Sequence, residues 1–266
     1  MTKIAIVGSP GSGKTVLLSV LTSLKNVNFE PRNDITAGLM NRWQNSLNSG
    51  NWNEKTSHEQ GKELSWRVRY GTSMFLLQTN DFPGESWKEF IGKYGDEGGV
   101  IDSSQNDKLE SFLDQSEFIL VLLDLTQIIN KVSGWELQAW FPIAIKNYLR
   151  KKERSLSSMA VILTKCDQLA GINPAQLQDP QGFYWNLIQQ HAPLCTRLFN
   201  KVKFFFIAAV SNPHWDNVNH IWSPPSTGIT SWNLDEVLDW IVDSKKKQLI
   251  VQKKTLMFGA LSCGHF

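Results

Sequence analysis

The segment from Gly8 to Thr15 carries the residue types and spacing of a phosphate-binding loop, Gly-x-x-x-x-Gly-Lys-[Ser/Thr]. Its members are, in order, Gly8, Ser9, Pro10, Gly11, Ser12, Gly13, Lys14 and Thr15. The glycines let the backbone turn tightly and aim successive N–H groups inward as a nest for an anion. Lys14 would reach the β- and γ-phosphates of a nucleotide, and Thr15 would offer its hydroxyl to Mg²⁺. The pattern arises by chance about once in a hundred chains of this length, so it indicates a real site.

A second pattern, Asp81-Phe-Pro-Gly84, follows a predicted strand over Met74–Thr79. Asp96-Glu-Gly-Gly99 has the same Asp-x-x-Gly form, so the pattern alone does not choose between them. Position favours the first, because open α/β sheets bind ligands at the carboxyl ends of their strands. There the Asp81 carboxylate can face the shell of a Mg²⁺ ion, and the Gly84 amide can meet a γ-phosphate.

A third pattern, Thr164-Lys-Cys-Asp167, comes directly after the predicted strand Met159–Leu163. A carboxylate at the fourth position can accept hydrogen bonds from both N1–H and the 2-amino group of guanine, and adenine has no such pair of donors. The aliphatic stem of Lys165 can lie along the base. The three patterns occur in order, each at the end of a strand, which predicts one nucleotide site at one edge of a sheet.

The hydrophobic pattern predicts strands alternating with helices, and therefore an α/β layered sheet. A buried strand over Lys3–Val7 leads through the loop into a helix, and Lys62–Tyr70 with Ser73–Thr79 forms an antiparallel hairpin. Residues 26–61 are expected to form a long loop with a helix over Thr36–Leu47. Further strands are predicted at Phe118–Leu123, Met159–Leu163 and Val202–Ala208, and further helices at Asp107–Gln115, Trp135–Leu149, most of 180–199, and the face Leu234, Val237, Leu238 and Ile241.

At these residues the sequence resembles the translation-factor-related, Ras-like P-loop GTPases, and a divergent bacterial type is suspected. The resemblance implies a three-layer α/β sandwich whose mainly parallel sheet has one antiparallel strand. It covers about residues 1–245, with extra length near 40–60, 85–116 and 211–232, and leaves a tail at 246–266. It implies a Mg²⁺-dependent switch that binds GTP and GDP, hydrolyses GTP and signals through regulator and effector proteins.

The resemblance also assigns roles to individual residues. Thr164, Lys165 and Asp167 match the guanine-binding motif, with Thr in place of the commoner Asn. Ala208 and Ala209 match a weaker base-binding loop, in which the Ala209 N–H would meet guanine O6. The switch threonine is expected in a mobile loop, and we choose Thr36 over Thr56 as an alternative and Thr22, which lies in a helix. The Mg²⁺ ligands would then be Thr15, Thr36 and Asp81.

In the family, the residue after Asp-x-x-Gly positions the attacking water, and here it is Glu85. A carboxylate repels the γ-phosphate at close range, so we expect slow intrinsic hydrolysis and an external activator. Arg32 lies four residues before Thr36 and is a candidate arginine finger in cis, although a solvated loop arginine is the commoner case. The catalytic group would thus comprise Lys14, Arg32, Thr36, Gly84 and Glu85.

The amino-acid composition limits the kinds of partner that the protein is expected to bind. The 27 Lys and Arg residues nearly cancel the 25 Asp and Glu residues, which argues against nucleic-acid binding. Three widely spaced cysteines fit a reducing compartment, and we expect a cytoplasmic protein. The Lys-rich tail offers weak contact with an anionic membrane surface, but a solvated helix end is the preferred reading.

Two other functions stay open from the sequence. In an ATP-using P-loop enzyme, such as an ATPase or kinase, Thr164–Asp167 would be a coincidence. In a non-hydrolysing binding module, the nucleotide would be structural and Glu85 would mark lost catalysis. Nucleotide preference separates the first from a GTPase, and retention of intact GTP identifies the second.

Overall fold

The computed structural model describes residues 1–9, 11–52, 63–80, 82, 84–95, 107–170, 173–196, 198, 202–211, 213–216, 221–225 and 228–247. The strands are β1 (Thr2–Gly8), β2 (Val27–Pro31), β3 (Glu63–Tyr70), β4 (Ser73–Asn80), β5 (Phe118–Asp124), β6 (Met159–Thr164), β7 (Lys203–Phe206), β8 (His214–Asp216) and β9 (Ile221–Ser223). The helices are α1 (Lys14–Leu21), α2 (Asp34–Asn48), α3 (Gly84–Tyr94), α4 (Asp107–Asp114), α5 (Leu125–Ile129), α6 (Trp135–Lys151), α7 (Cys166–Ala170), α8 (Pro180–His191), α9 (Pro193–Thr196) and α10 (234–247).

Seven strands form one sheet in the order β2-β3-β4-β1-β5-β6-β7. β1 pairs in parallel with β4 and β5, and β6 pairs in parallel with β5 and β7. β3 is antiparallel to both of its neighbours, so it alone runs against the other six. The predicted mainly parallel sheet with one antiparallel strand is therefore confirmed. The carboxyl ends of β1, β4, β5 and β6 meet at one edge.

Apolar side chains cover both faces of the sheet, and this burial makes the chain a three-layer sandwich. The central strands read as unbroken apolar runs, and every residue of β5 and β6 is buried. One face packs mainly against α3, α4, α6 and α8, and the other against α1, α2 and α10. The predicted α10 face is confirmed, because Leu234, Val237, Leu238 and Ile241 are all buried on the second side.

The helix predicted over Thr36–Leu47 is confirmed as α2, and the stretch before it, predicted as loop, is more ordered than its Asn-rich composition suggested. Val27–Pro31 forms the edge strand β2, in which Val27 and Phe29 face the core. Asn33 caps α2 by accepting a hydrogen bond from the Thr36 N–H at 2.8 Å. With this extra strand, the reversed strand is the third in chain order. Residues 53–62, which include Thr56, lie outside the described residues.

The Gly-rich stretch 81–116 contains two helices in its described part. The predicted helix near Asp107–Gln115 is confirmed as α4. The sequence prediction missed α3, whose glycines obscured an apolar face formed by Trp87, Phe90 and Tyr94. Trp87 packs edge-on against Phe141 of α6 with ring centroids 4.5 Å apart, and Tyr94 packs edge-on against Tyr148, to which Phe90 is tilted. Aromatic packing thus fixes the helix that begins at Gly84.

Thr36 does not lie in a loop, so that expectation was wrong. It occupies the first turn of α2 and is completely buried. Its hydroxyl accepts a hydrogen bond from the Ser65 N–H of β3 at 3.3 Å. This contact satisfies a buried backbone donor, so the side chain joins a helix to the sheet.

No helix among the described residues is long and apolar enough to cross a membrane.

A Thr36→Ala substitution should lower the free energy of unfolding by about 1–3 kcal/mol, because it leaves the Ser65 N–H buried without an acceptor. Thr36→Ser keeps the hydroxyl and should lose less than half as much. Urea unfolding monitored by tryptophan fluorescence measures both. A Thr36→Ala protein with wild-type stability but impaired Mg²⁺-dependent nucleotide binding would restore the role predicted from sequence.

Candidate functional site

The loop after β1 is shaped to hold an anion. Gly11 and Gly13 have φ values of +81° and +87°, a left-handed conformation that strains other residues. α1 then begins at Lys14 with neither a side-chain cap nor an acidic residue in its first turn. The N-terminal N–H groups of α1 and the positive end of its dipole therefore face the loop. The Lys14 ammonium crosses the loop and donates to the carbonyl oxygens of Gly8 at 2.6 Å and Ser9 at 3.2 Å.

Close packing under the loop explains why glycine begins it. A Cβ atom at Gly8 would lie 2.6 Å from the Leu122 carbonyl oxygen of β5 and 2.6 Å from the Ser12 hydroxyl oxygen. The hydroxyl oxygens of Ser9 and Ser12 are buried and have no hydrogen-bond partner among the described residues. Buried hydroxyls without partners are costly, and a bound oxyanion with its waters could satisfy them. The residues present therefore fit a phosphate group. Pro10 lies outside the described residues.

A direct hydrogen bond joins the Thr164–Asp167 loop to the phosphate loop. The buried Thr164 hydroxyl lies 2.9 Å from the Ser12 carbonyl oxygen and 3.1 Å from that of Leu123, and it donates to one of them at a time. The third and first sequence patterns therefore meet. The Thr164 hydroxyl makes this contact, which explains why a threonine suits this position.

Asp167 lies in the first turn of α7 and is only 7% exposed. Burial raises the pKa of its carboxyl to about 7, and the nearby Asp124 carboxylate acts in the same direction. The Asp167 N–H and the Lys165 ammonium oppose this shift. The carboxyl group is therefore close to half-protonated at neutral pH, and two donors from a ligand would favour its charged form.

The backbone around Asp167 is fixed from three directions. The Cys166 N–H donates to the Ile207 carbonyl oxygen at 3.2 Å, and the Ile207 N–H donates to that of Leu163 at 2.9 Å. The Tyr184 hydroxyl donates to the Cys166 carbonyl oxygen at 2.6 Å. Cys166 itself is fully buried, and burial raises the pKa of its thiol, so it has no nucleophilic role.

Ala208 and Ala209 follow β7 at the same edge. Ala208 exchanges two backbone hydrogen bonds with Trp232, at 2.8 and 3.2 Å, and is completely buried. The Ser211 N–H donates to the Thr230 carbonyl oxygen at 2.7 Å, and the two hydroxyl groups lie 2.9 Å apart, which holds the loop along residues 228–232. Within the described part of the chain, the Ala209 N–H has no hydrogen-bond acceptor. It is therefore the backbone donor of this loop that a base carbonyl could use.

The second pattern follows β4, which neighbours β1, so its residues start beside the phosphate loop. Gly84 is the first residue of α3 and Glu85 the second. Asp81 lies outside the described residues. The side-chain oxygen of Asn80, the last residue of β4, is buried without a partner in the described chain. It marks a polar position at this edge.

The remaining predicted groups lie at different distances from this centre. Thr15 is the second residue of α1, directly behind Lys14. Arg32 is exposed and follows β2, three strands away from β1, or roughly 14 Å at the usual strand spacing. An Arg side chain reaches about half that distance. Thr36 is enclosed between α2 and β3, so the structure does not bring Arg32 or Thr36 to the phosphate loop.

Sequence reasoning missed a buried carboxylate at the end of β5. The Asp124 side chain is 1% exposed and accepts a hydrogen bond from the Lys165 ammonium at 2.5 Å. It also accepts from the N–H groups of Thr126 and Gln127, which caps α5. The available signal was an Asp directly after the apolar run Phe118–Leu123, at the same edge as the three patterns.

Comparison with known protein families finds no match, and neither does comparison with curated proteins. Among solved structures, a GTP-binding protein from the hyperthermophilic archaeon Sulfolobus solfataricus, in complex with GDP, has a TM-score of 0.45 at 15% identity. It matches over 93% of this chain and 53% of its own. The LeoA bacterial dynamin GTPase from ETEC has a TM-score of 0.41 at 13% identity, over 80% of this chain and 30% of its own. This chain thus spans about half or less of both neighbours.

The raised pKa of Asp167 predicts a pH-dependent preference for guanine. In the guanine site predicted from the sequence, the carboxylate form would accept the guanine donors, so the ratio of GDP to ADP affinity should fall about tenfold per pH unit below pH 7. Using a ratio cancels the titration of the diphosphate, which both ligands share. Asp167→Asn is the control and should show a small ratio that does not change with pH. A wild-type ratio that stays constant between pH 5.5 and 8 would contradict the prediction.

Proposed function

We propose that the chain is a Mg²⁺-dependent GTP-binding and GTP-hydrolysing switch protein. The observation that carries this proposal is the hydrogen bond between Thr164 and Ser12. Thr164 thereby contacts the phosphate loop directly, and Asp167, the buried carboxylate that we propose binds guanine, follows three residues later. One nucleotide can therefore meet both groups at once.

Each part of the nucleotide has matching groups at this edge. The phosphates would lie over Gly8–Thr15, with the α1 N-terminus and Lys14 supplying positive charge. The base would lie against the Lys165 stem, with Asp167 accepting from its ring and 2-amino donors and the Ala209 N–H meeting its carbonyl oxygen. Mg²⁺ would be held by the Thr15 hydroxyl and the phosphates, with the Asp81 carboxylate as a further proposed ligand.

The switch part of the proposal rests on the place of α3. Gly84 begins this helix directly after the strand that borders the phosphate loop. A γ-phosphate held by the Gly84 N–H would bias the start of α3, and Trp87 connects that start to α6 through Phe141. Hydrolysis would remove the contact, which changes the surface offered to regulator and effector proteins.

Guanine selectivity tests the proposal directly. Competition binding with labelled GDP against GTP and ATP, with and without Mg²⁺, should show a guanine preference of at least about a hundredfold, since two hydrogen bonds to a buried carboxylate are at stake. Asp167→Asn should lose that preference and keep its binding of ATP. Asp179→Asn makes the same change at the exposed cap of α8 and is the matched control. Equal binding of ATP and GTP by the wild type would instead identify an ATP-using P-loop enzyme.

Hydrolysis by the isolated protein should be slow, because the negatively charged Glu85 carboxylate would repel the negatively charged γ-phosphate. Single-turnover assays with GTP and Mg²⁺ should give a rate far below tens per second, the order reached by activated enzymes of this mechanism. Arg32→Ala should leave the rate unchanged, since Arg32 starts three strands away. A large loss in Arg32→Ala would support an arginine finger in cis. GTP that stays intact for hours with every candidate partner would favour the non-hydrolysing module.

A further inference from the structure

Asp124, a buried residue outside the three sequence patterns, is surrounded by a set of hydrogen-bonded polar side chains. The Asp124 N–H donates to the Gln138 side-chain oxygen at 2.6 Å, and the Gln138 amide donates to that of Gln127 at 2.5 Å. The Gln127 amide returns to the Asp124 carboxylate at 3.1 Å. Three side chains on β5, α5 and α6 thus hold one another in a single arrangement.

Both oxygens of Asp124 are occupied. One accepts from the Thr126 N–H at 2.9 Å, the Thr126 hydroxyl at 2.6 Å and the Gln127 N–H at 3.2 Å. The other accepts from Gln127 and from the Lys165 ammonium. A buried carboxylate with this many donors has a fixed orientation, and its direction is set before any ligand arrives.

Lys165 is the one member of this set that belongs to the predicted base-binding loop. Its φ value of +60° is left-handed, which is uncommon for a residue with a side chain. Its side chain is 31% exposed, whereas that of Asp124 is 1% exposed. The ion pair therefore fixes the ammonium end of the Lys165 side chain. The aliphatic stem of Lys165 stays partly exposed to solvent, so one side of it is available for contact.

We infer that Asp124 is a positioning residue for the nucleotide base, because its carboxylate fixes the Lys165 ammonium and so aligns the Lys165 stem as the platform on which the base lies. This inference rests on the proposed guanine site and assigns Asp124 a role in it. Asp124 touches no part of the nucleotide itself. Its contribution to affinity passes through Lys165, whereas Gln127, Gln138 and Thr126 serve to hold Asp124.

Two substitutions separate positioning from general support of the fold. Asp124→Asn keeps an oxygen that can cap α5, removes the charge that attracts Lys165, and puts an amide nitrogen where the other oxygen accepted from Gln127 and Lys165. Lys165→Met keeps an unbranched apolar stem and removes the ammonium group. If Asp124 acts through Lys165, their effects on GDP affinity must overlap, and if they act separately, the two fold-losses must multiply.

The experiment measures GDP and pyrophosphate affinity for the wild type, both single variants and the double variant. Asp124→Asn should weaken GDP binding about tenfold, as for loss of a charge-assisted hydrogen bond, and leave pyrophosphate binding unchanged, since pyrophosphate has no base. The double variant should bind GDP as weakly as Asp124→Asn alone. The matched control is Asp179→Asn, which changes an exposed helix cap and should bind both ligands like the wild type.

Other outcomes overturn the inference. Fold-losses that multiply in the double variant, or equal losses for GDP and pyrophosphate in Asp124→Asn, would make Asp124 a structural residue only. Lys165→Met leaves a buried carboxylate without its partner and could fail to fold. In that case the GDP affinities of Asp124→Asn and of the double variant decide the question: equal affinities support the inference, and a weaker double variant overturns it. A wild type without guanine preference overturns the proposed function and the inference with it. A guanine-selective wild type with multiplying losses overturns the inference alone.

Discussion

The site depends on the parallel register of β1, β5 and β6. Val7 is paired with Val121 and Leu123 with Leu163, so the chains leave these strands side by side at one edge. That alignment brings the Thr164 hydroxyl to the Ser12 carbonyl oxygen. A slip of one residue would turn every side chain of β6 to the opposite face and move the Thr164 hydroxyl away from the Ser12 carbonyl oxygen. The apolar layers on both faces of the sheet therefore maintain the geometry of the edge.

The same burial sets the electrostatics of the edge. Asp124 and Asp167 both lie where water is scarce, and their charges act on each other and on Lys165 over short distances. Asp124 is satisfied by donors from its own chain. In the described part of the chain, the Asp167 carboxylate accepts from its own N–H, and burial raises its pKa. One carboxylate is thus built into the fold, and the other is available for donors that a ligand would bring.

The phosphate loop shows how backbone strain and packing work together. The left-handed backbone at Gly11 and Gly13 and the close approach of Gly8 to Leu122 restrict these three positions to glycine. The unusual backbone conformation is confined to the loop, whose two ends are held by β1 and α1. Lys165 repeats the pattern in the neighbouring loop, where a left-handed residue is held by an ion pair.

The sequence by itself determined the phosphate loop, the order of most strands and helices, and the reversed strand. These follow from local rules, because glycine spacing, apolar runs and turn residues act over a few neighbours. It placed Thr164 and Asp167 at strand ends for the same reason. It predicted the helix over Thr36–Leu47 but assigned Thr36 itself to a mobile loop, because the same short stretch of chain suits either a loop or a capped helix.

Only the tertiary structure decided what depends on residues distant in the chain. The edge strand β2 is stable because it pairs with β3, and helix α2 is stable because it packs against α1. The local sequence pattern indicates neither of these partners. Asp124 became part of the site because β5 and β6 bring it within 2.5 Å of Lys165, 41 residues away. Contacts of that separation are selected by packing of the whole sheet, since their closure entropy is offset only once the surrounding core has formed.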